Sequence, residues 1–148
     1  MILDGLNEEQ KKAVLQTEGP LLILAGAGSG KTRVLTTKIA YLIEEIGVNP
    51  YNILAITFTN KAAKEMSTRL FNMVGKKANL AQVSTFHSFG VKILLENYKL
   101  LGYEKNFVIM DSEDSSSVIK KILKEFGLDP KVYNPNAIRN KISSCKNE

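Results

Sequence analysis

One cysteine, one histidine and no tryptophan in 148 residues exclude several classes of function at the outset. A single thiol, Cys145, closes no internal disulfide, so this is no disulfide scaffold, and a reducing cytoplasmic setting is the expectation. One Cys and one His cannot supply the ligand set of a structural zinc site. Long apolar runs are missing as well. The longest, Leu21 to Ala25, falls far short of the roughly 20 residues of a membrane helix, so no membrane partner is expected. The opening MILDGLNEEQ has neither the basic start nor the apolar stretch of a signal peptide. Four prolines and ten glycines, with 44% hydrophobic and 24% charged residues, exclude collagen-like repeats and wholesale disorder.

What is present is charge of uneven sign. The chain carries a net +5, and residues 51–110 hold eight Lys/Arg against three Asp/Glu. A basic middle third suits phosphates or nucleic acid, or is simply a solvated lysine-rich face.

Apolar spacing alternates between short runs and helical stripes. Asn7 with Gln10 forms a capping-box pattern that opens a helix through Leu15. Leu21–Leu24 reads as a buried parallel strand. After a Gly-rich turn, a helix from Lys31 to Ile46 carries the stripe Leu35, Ile39, Leu42, Ile43 and Ile46, and Gly47 ends it. Ile53–Thr57 is the second strand. Asn60 caps a helix with Met66, Leu70, Met73 and Val74 inward. Gln82–Ser84 is the third strand, followed by a helix burying Phe86, Phe89, Ile93, Leu94 and Leu101. Strand and helix in alternation predict an α/β fold with a parallel sheet and right-handed crossovers. After Gly102 the pattern becomes helical, with Val118, Ile119, Ile122, Leu123 and Phe126 on one face and then Ile138 and Ile142. The expected division is 1–104 for the α/β part and 105–148 for the start of a helical subdomain.

Ala25-Gly26-Ala27-Gly28-Ser29-Gly30-Lys31-Thr32 lies between the first predicted strand and its helix. It matches the phosphate-binding loop except for alanine at the first glycine position. Small residues let backbone N–H groups turn inward around phosphates, and Gly28 and Gly30 reach backbone angles closed to other residues. Lys31 brings a point charge to the β and γ phosphates, and the Thr32 hydroxyl is the candidate Mg²⁺ ligand. The following helix start favours anions. Lys31 and Thr32 are therefore the candidate catalytic residues, and a nucleoside triphosphate with Mg²⁺ the expected ligand. Efficient hydrolysis also needs an acid at a neighbouring strand end. Asp111 is the only candidate, and it reads equally well as a cap of the next helix.

Thr57-Phe58-Thr59-Asn60-Lys61 and Thr85-Phe86-His87-Ser88 stand at the carboxyl ends of the second and third strands, the ligand edge of an open parallel sheet. Their hydroxyls and amide suit phosphate oxygens. Phe58 suits stacking on an unpaired base, or is a core side chain beside the strand. His87 is a contact residue or a hydrogen-bonded structural histidine.

In order and spacing these segments resemble the UvrD/Rep/PcrA-type superfamily 1 DNA helicases over essentially the whole chain. LNEEQKKAV looks like that family's adenine-reading glutamine motif, AGAGSGKT like its P-loop, ITFTNKAAKEM like its motif Ia and STFHSF like its motif Ib. FVIMDSEDS looks like the beginning of its helical insertion subdomain. The resemblance implies a P-loop NTPase (RecA-like) fold, with ATP and Mg²⁺ as cofactors and single-stranded DNA and duplex junctions as partners. It places Gln10 on the adenine edge, Arg33 against the adenine ring, and Phe58, Thr59, Asn60, Thr85 and His87 on or near the strand path.

The family's second acid motif, γ-phosphate sensors, arginine finger and second RecA-like domain do not occur in this sequence. The expectation is therefore a monomeric N-terminal part of an ATP-driven 3′–5′ DNA helicase, inactive or inefficient alone. A recombination helicase–nuclease shares these early motifs. A stand-alone P-loop phosphotransferase using Asp111, and a non-catalytic single-strand-binding module, are the competing readings.

Overall fold

A capping box opens the first helix, as the Asn7–Gln10 spacing predicts. In the computed structural model, which describes residues 2–26 and 28–147, Asn7 Oδ1 accepts from the Gln10 N–H at 2.9 Å, and Gln10 Oε1 accepts from the Asn7 N–H at 3.0 Å. The two bonds satisfy N–H groups at the start of α1 (Glu8–Leu15). α2 (Lys31–Glu44) follows the Gly-rich loop and closes over Gly47 (φ 77°), with the Val48 N–H donating to Leu42 O at 2.8 Å. It ends two residues before the expected Ile46.

β1 (Leu54–Thr57), α3 (Asn60–Val74), β2 (Gln82–Thr85) and α4 (Phe86–Asn97) complete the first part of the chain. β1 and β2 pair in parallel, Leu54 opposite Gln82 through Thr57 opposite Thr85, with α3 as the crossover. Thr59, not Asn60, caps α3. Its Oγ1 accepts from the Ala62 N–H at 3.1 Å, which makes Asn60 the first helical residue. A Thr hydroxyl at this position does the work expected of the Asn amide one residue later.

The main core joins α2, α3 and the strand pair. Ile39, Ala40 and Ile43 meet Met66, Leu70 and Val74, with Ile53, Ala78 and Ala81 closing the cluster and Ala55 and Val83 packed against it. A second, smaller core seats α1 on α2 through Leu6, Val14 and Val34, with Ile23 and Tyr41 against it.

Three expectations are corrected. Residues 21–26 form no ladder with any described strand, and Leu22 and Leu24 are 81% and 86% exposed. A parallel strand exists only where a neighbour completes its hydrogen bonds. Neither β1 nor β2 offers its free edge to this segment, which is held instead by Ile23 against the small core and by Lys31 Nζ on the Ala25 and Gly26 carbonyls. In α2 the stripe is rotated: Val34, Thr36 and Thr37 join Ile39 and Ile43 inside, while Leu35 and Ile46 are exposed. On α4, Phe86 and Ile93 are exposed and Phe89 and Leu94 half-buried, and Leu101 just beyond the helix is exposed.

The chain divides into two compact units between Asn97 and Tyr98, seven residues before the expected boundary at 104/105. The second unit packs α5 (Ser112–Glu125) against α6 (Pro135–Asn147). Asp111 caps α5, accepting from the Glu113 and Asp114 N–H groups at 2.7 and 2.8 Å. Leu123 and Pro135 are buried there, while Val118, Ile122, Phe126 and Ile142 of the predicted apolar face remain exposed. So short a unit has little chain with which to cover that face. Among the described residues no helix is long and apolar enough to cross a membrane.

Candidate functional site

The Gly-rich loop delivers the chain from residues 21–26 into the first turn of α2. Gly28 and Gly30 take φ of 74° and 84°, the left-handed region that other residues enter only with strain. Gly30 is the cap residue of α2, and no side chain among the described residues caps it. The N–H groups of Lys31, Thr32 and Arg33 therefore open the helix without a side-chain acceptor, at the end where the helix dipole favours an anion. Ala27, an expected loop contact, lies outside the described residues.

Within the loop the donors converge on one carbonyl. Gly26 O accepts from Lys31 Nζ at 2.6 Å, from Ser29 Oγ at 2.7 Å and from the Ser29 N–H at 3.3 Å. Lys31 Nζ also donates to Ala25 O at 3.0 Å. The ammonium is thus held at the mouth of the loop by neutral carbonyl oxygens, which phosphate oxygens can replace with stronger, charge-assisted bonds. The donor set fits a triphosphate: an ammonium, an uncapped helix start and small residues, with open space around a Cβ built on Gly26 or Gly28. Thr32, half-buried one residue on, offers the hydroxyl for Mg²⁺.

Two distant residues are brought to this loop. The carboxamide of Gln10, whose Oε1 is fixed by the α1 capping box, turns its Nε2 to donate to Ser29 O at 3.1 Å. Arg33 Nη2 donates to Asp4 O at 3.2 Å, so the guanidinium lies over the turn that leads into α1. Gly5 (φ 73°) permits this approach, since a Cβ there would collide with Arg33 Nη2. Gln10, Ala25, Ser29 and Lys31 share the wall of a cavity of about 230 Å³ with Asn7 and Ile23.

The strand-end residues gather elsewhere on the first unit. Phe58, directly after β1, is 91% exposed, which sets aside the core reading. Its ring lies 6.0 Å from that of Phe86, directly after β2, with 58° between the planes. Thr59 caps α3. Thr85 Oγ1 accepts from the Ser88 N–H at 3.2 Å and donates to Ser88 Oγ at 2.9 Å, which starts α4. Asn60 and His87 are exposed in the first turns of α3 and α4. Phe86 fits the apolar stripe of α4 by helical spacing, yet it is exposed at this edge. The signal for it is the repeated Thr-Phe: Thr57 and Thr85 are opposite in register, so the phenylalanine after each leaves the sheet beside the other.

Residues 6–148 match the family described as UvrD/REP helicase N-terminal domain. The chain belongs to this family. Proteins named ATP-dependent DNA helicase PcrA, from Staphylococcus epidermidis and from Staphylococcus aureus, are each 54% identical to it over 147 residues, which is 99% of the chain. The chain spans about a fifth of the length of these curated relatives (20%). The matched residues include the glutamine segment, the loop and the two strand-end segments. Asp111, by contrast, serves as a helix cap, the plainer of its two readings.

Proposed function

We propose that this chain supplies the ATP-binding half-site and part of the single-strand path of an ATP-dependent DNA helicase, working 3′–5′ in a reducing cytoplasmic setting and acting on single strands and duplex junctions. The observation that carries the reading is the Gln10–Ser29 hydrogen bond, which joins the glutamine segment to the phosphate loop across nineteen residues of sequence. Phosphate oxygens take the place of the Ala25 and Gly26 carbonyls at Lys31, and the N–H groups at the start of α2 receive the same anion. Thr32 holds Mg²⁺, which screens phosphate charge when bound. Gln10 meets the adenine edge with its carboxamide, and Arg33 lies against the ring. Phe58 and Phe86 offer an aromatic surface for unpaired bases, with Thr59, Asn60, Thr85 and His87 beside it for the backbone.

On this reading the 148-residue chain binds ATP without efficient turnover. Closing two domains on a nucleotide is what couples hydrolysis to movement in such machines. The 148-residue chain is then a monomer that binds ATP with negligible hydrolysis. The test is ATP turnover by this chain with and without single-stranded DNA, beside a titration of nucleotide binding. Binding with negligible turnover supports the half-site. Robust turnover by the isolated chain overturns it, and loss of that turnover in Asp111→Ala would identify a phosphotransferase instead.

A further inference from the structure

α1 is only eight residues long, Glu8–Leu15, too short to hold its shape without tertiary support. Its N-terminal end is fixed by the capping box and by Gln10 on Ser29. Its C-terminal end is held by Val14 in the small core and, at its backbone carbonyls, by one side chain of α2. Lys38 Nζ donates to Ala13 O at 2.9 Å, to Val14 O at 3.5 Å and to Gln16 O. These are carbonyls at the end of α1, where the helix carries its partial negative charge, and a cation there completes it. Lys38 is half-buried, and burial lowers its pKa from the ordinary 10.5.

The placement follows from helix geometry. Lys31 and Lys38 are seven residues apart, two turns, and so lie on one face of α2. Val34 lies between them and is buried against Leu6 and Val14. A single face of α2 thus presents Lys31 to the phosphate loop, Val34 to the small core and Lys38 to the end of α1. The helix that carries the phosphate lysine also fixes both the height and the rotation of the helix that carries Gln10.

We propose that Lys38 is a positioning residue for base recognition: by clamping the C-terminal carbonyls of α1, it holds the Gln10 carboxamide at the phosphate loop. The inference rests on the reading of Gln10 as the adenine contact. It differs from a merely structural clamp in what it affects. Affinity for the base should depend on Lys38, and affinity for the phosphates should not, because Lys31 and the start of α2 stay where they are.

The experiment compares ATP with inorganic tripolyphosphate in binding titrations of the 148-residue chain, its Lys38→Met, Lys38→Gln and Lys38→Arg variants, and Gln10→Ala. Lys38→Met should weaken ATP binding about fivefold, the equivalent of one ordinary hydrogen bond, while tripolyphosphate binding stays within about twofold. Lys38→Arg, which keeps the cation, should restore ATP binding. Unchanged ATP affinity in Lys38→Met beside a loss in Gln10→Ala overturns the role of Lys38 alone. Equal losses for ATP and tripolyphosphate would make Lys38 a clamp on the whole unit and also overturn it. If Lys38→Met does not fold by circular dichroism, Lys38→Gln carries the same comparison. Should Gln10→Ala leave the preference for ATP over tripolyphosphate intact, it is the adenine reading that fails.

Discussion

The ring of Phe58 stands 6.0 Å from the ring of Phe86, each projecting from the residue after a paired threonine. An exposed aromatic pair at the carboxyl end of a parallel strand pair loses little by being truncated in the free protein. Phe58→Ala and Phe86→Ala should therefore leave thermal stability within about 0.5 kcal/mol of the parent. Both should weaken binding of a short oligothymidine, Phe58→Ala by about 1–3 kcal/mol if a base stacks on it. Fluorescence anisotropy of a labelled strand measures this, and its affinity should fall as salt rises, because phosphate contacts release counterions. Undiminished binding in both variants would remove the pair from the strand path.

The same two residues mark how much of the site could be read beforehand. The strand ends, the loop and the capping box are local patterns, set by residues a few positions apart, and each is found where its spacing puts it. The position of Phe86 is not local. Read along α4 it fits an apolar stripe; only the register of β2 against β1 turns it outward beside Phe58. Leu21–Leu24 failed for the converse reason. Its composition suits a buried parallel strand, but a strand is a relation between segments, and among the described residues neither β1 nor β2 pairs with it. The role of Lys38 is not legible in sequence, because a lysine on a helix carries no sign that three carbonyls at the end of another helix converge on it.

Lys31→Ala should bind ATP more weakly by about 1.5–3 kcal/mol, the range for a hydrogen bond to a charged group. The fold should survive, since Lys31 is exposed and its ammonium bonds only carbonyls of the loop, while the cores of the first unit lie elsewhere. A nucleotide titration with circular dichroism separates the two effects. Equal affinity in parent and variant would exclude Lys31 from the phosphate site.

Leu70 and Leu22 offer a paired test of the fold itself. Leu70 is fully buried on α3 at the centre of the main core, whereas Leu22 lies in the extended segment before the loop and is mostly exposed. Leu70→Ala should cost about 2–5 kcal/mol through lost burial and the cavity left behind. Leu22→Ala should fall within about 0.5 kcal/mol of the parent. Urea unfolding of both variants reads the difference. A cost at Leu22 comparable with that at Leu70 would mean that residues 21–24 are a buried strand after all.

Gly5 tests how Arg33 is held. Its φ of 73° lies in the left-handed region, so alanine there costs about 1–2 kcal/mol in backbone energy. The new methyl would also stand where Arg33 Nη2 now lies, and the guanidinium, at the end of a flexible side chain, would swing away from Asp4 O. If Arg33 lies against adenine, Gly5→Ala should weaken ATP binding and leave tripolyphosphate binding nearly unchanged, matching Arg33→Ala in both. The double variant decides the matter. Were Gly5 to act through Arg33, Gly5→Ala would add nothing to the loss in Arg33→Ala, because the side chain it displaces is already gone. Fully additive losses would mean that Gly5 affects the site by another route, through the turn that sets the start of α1.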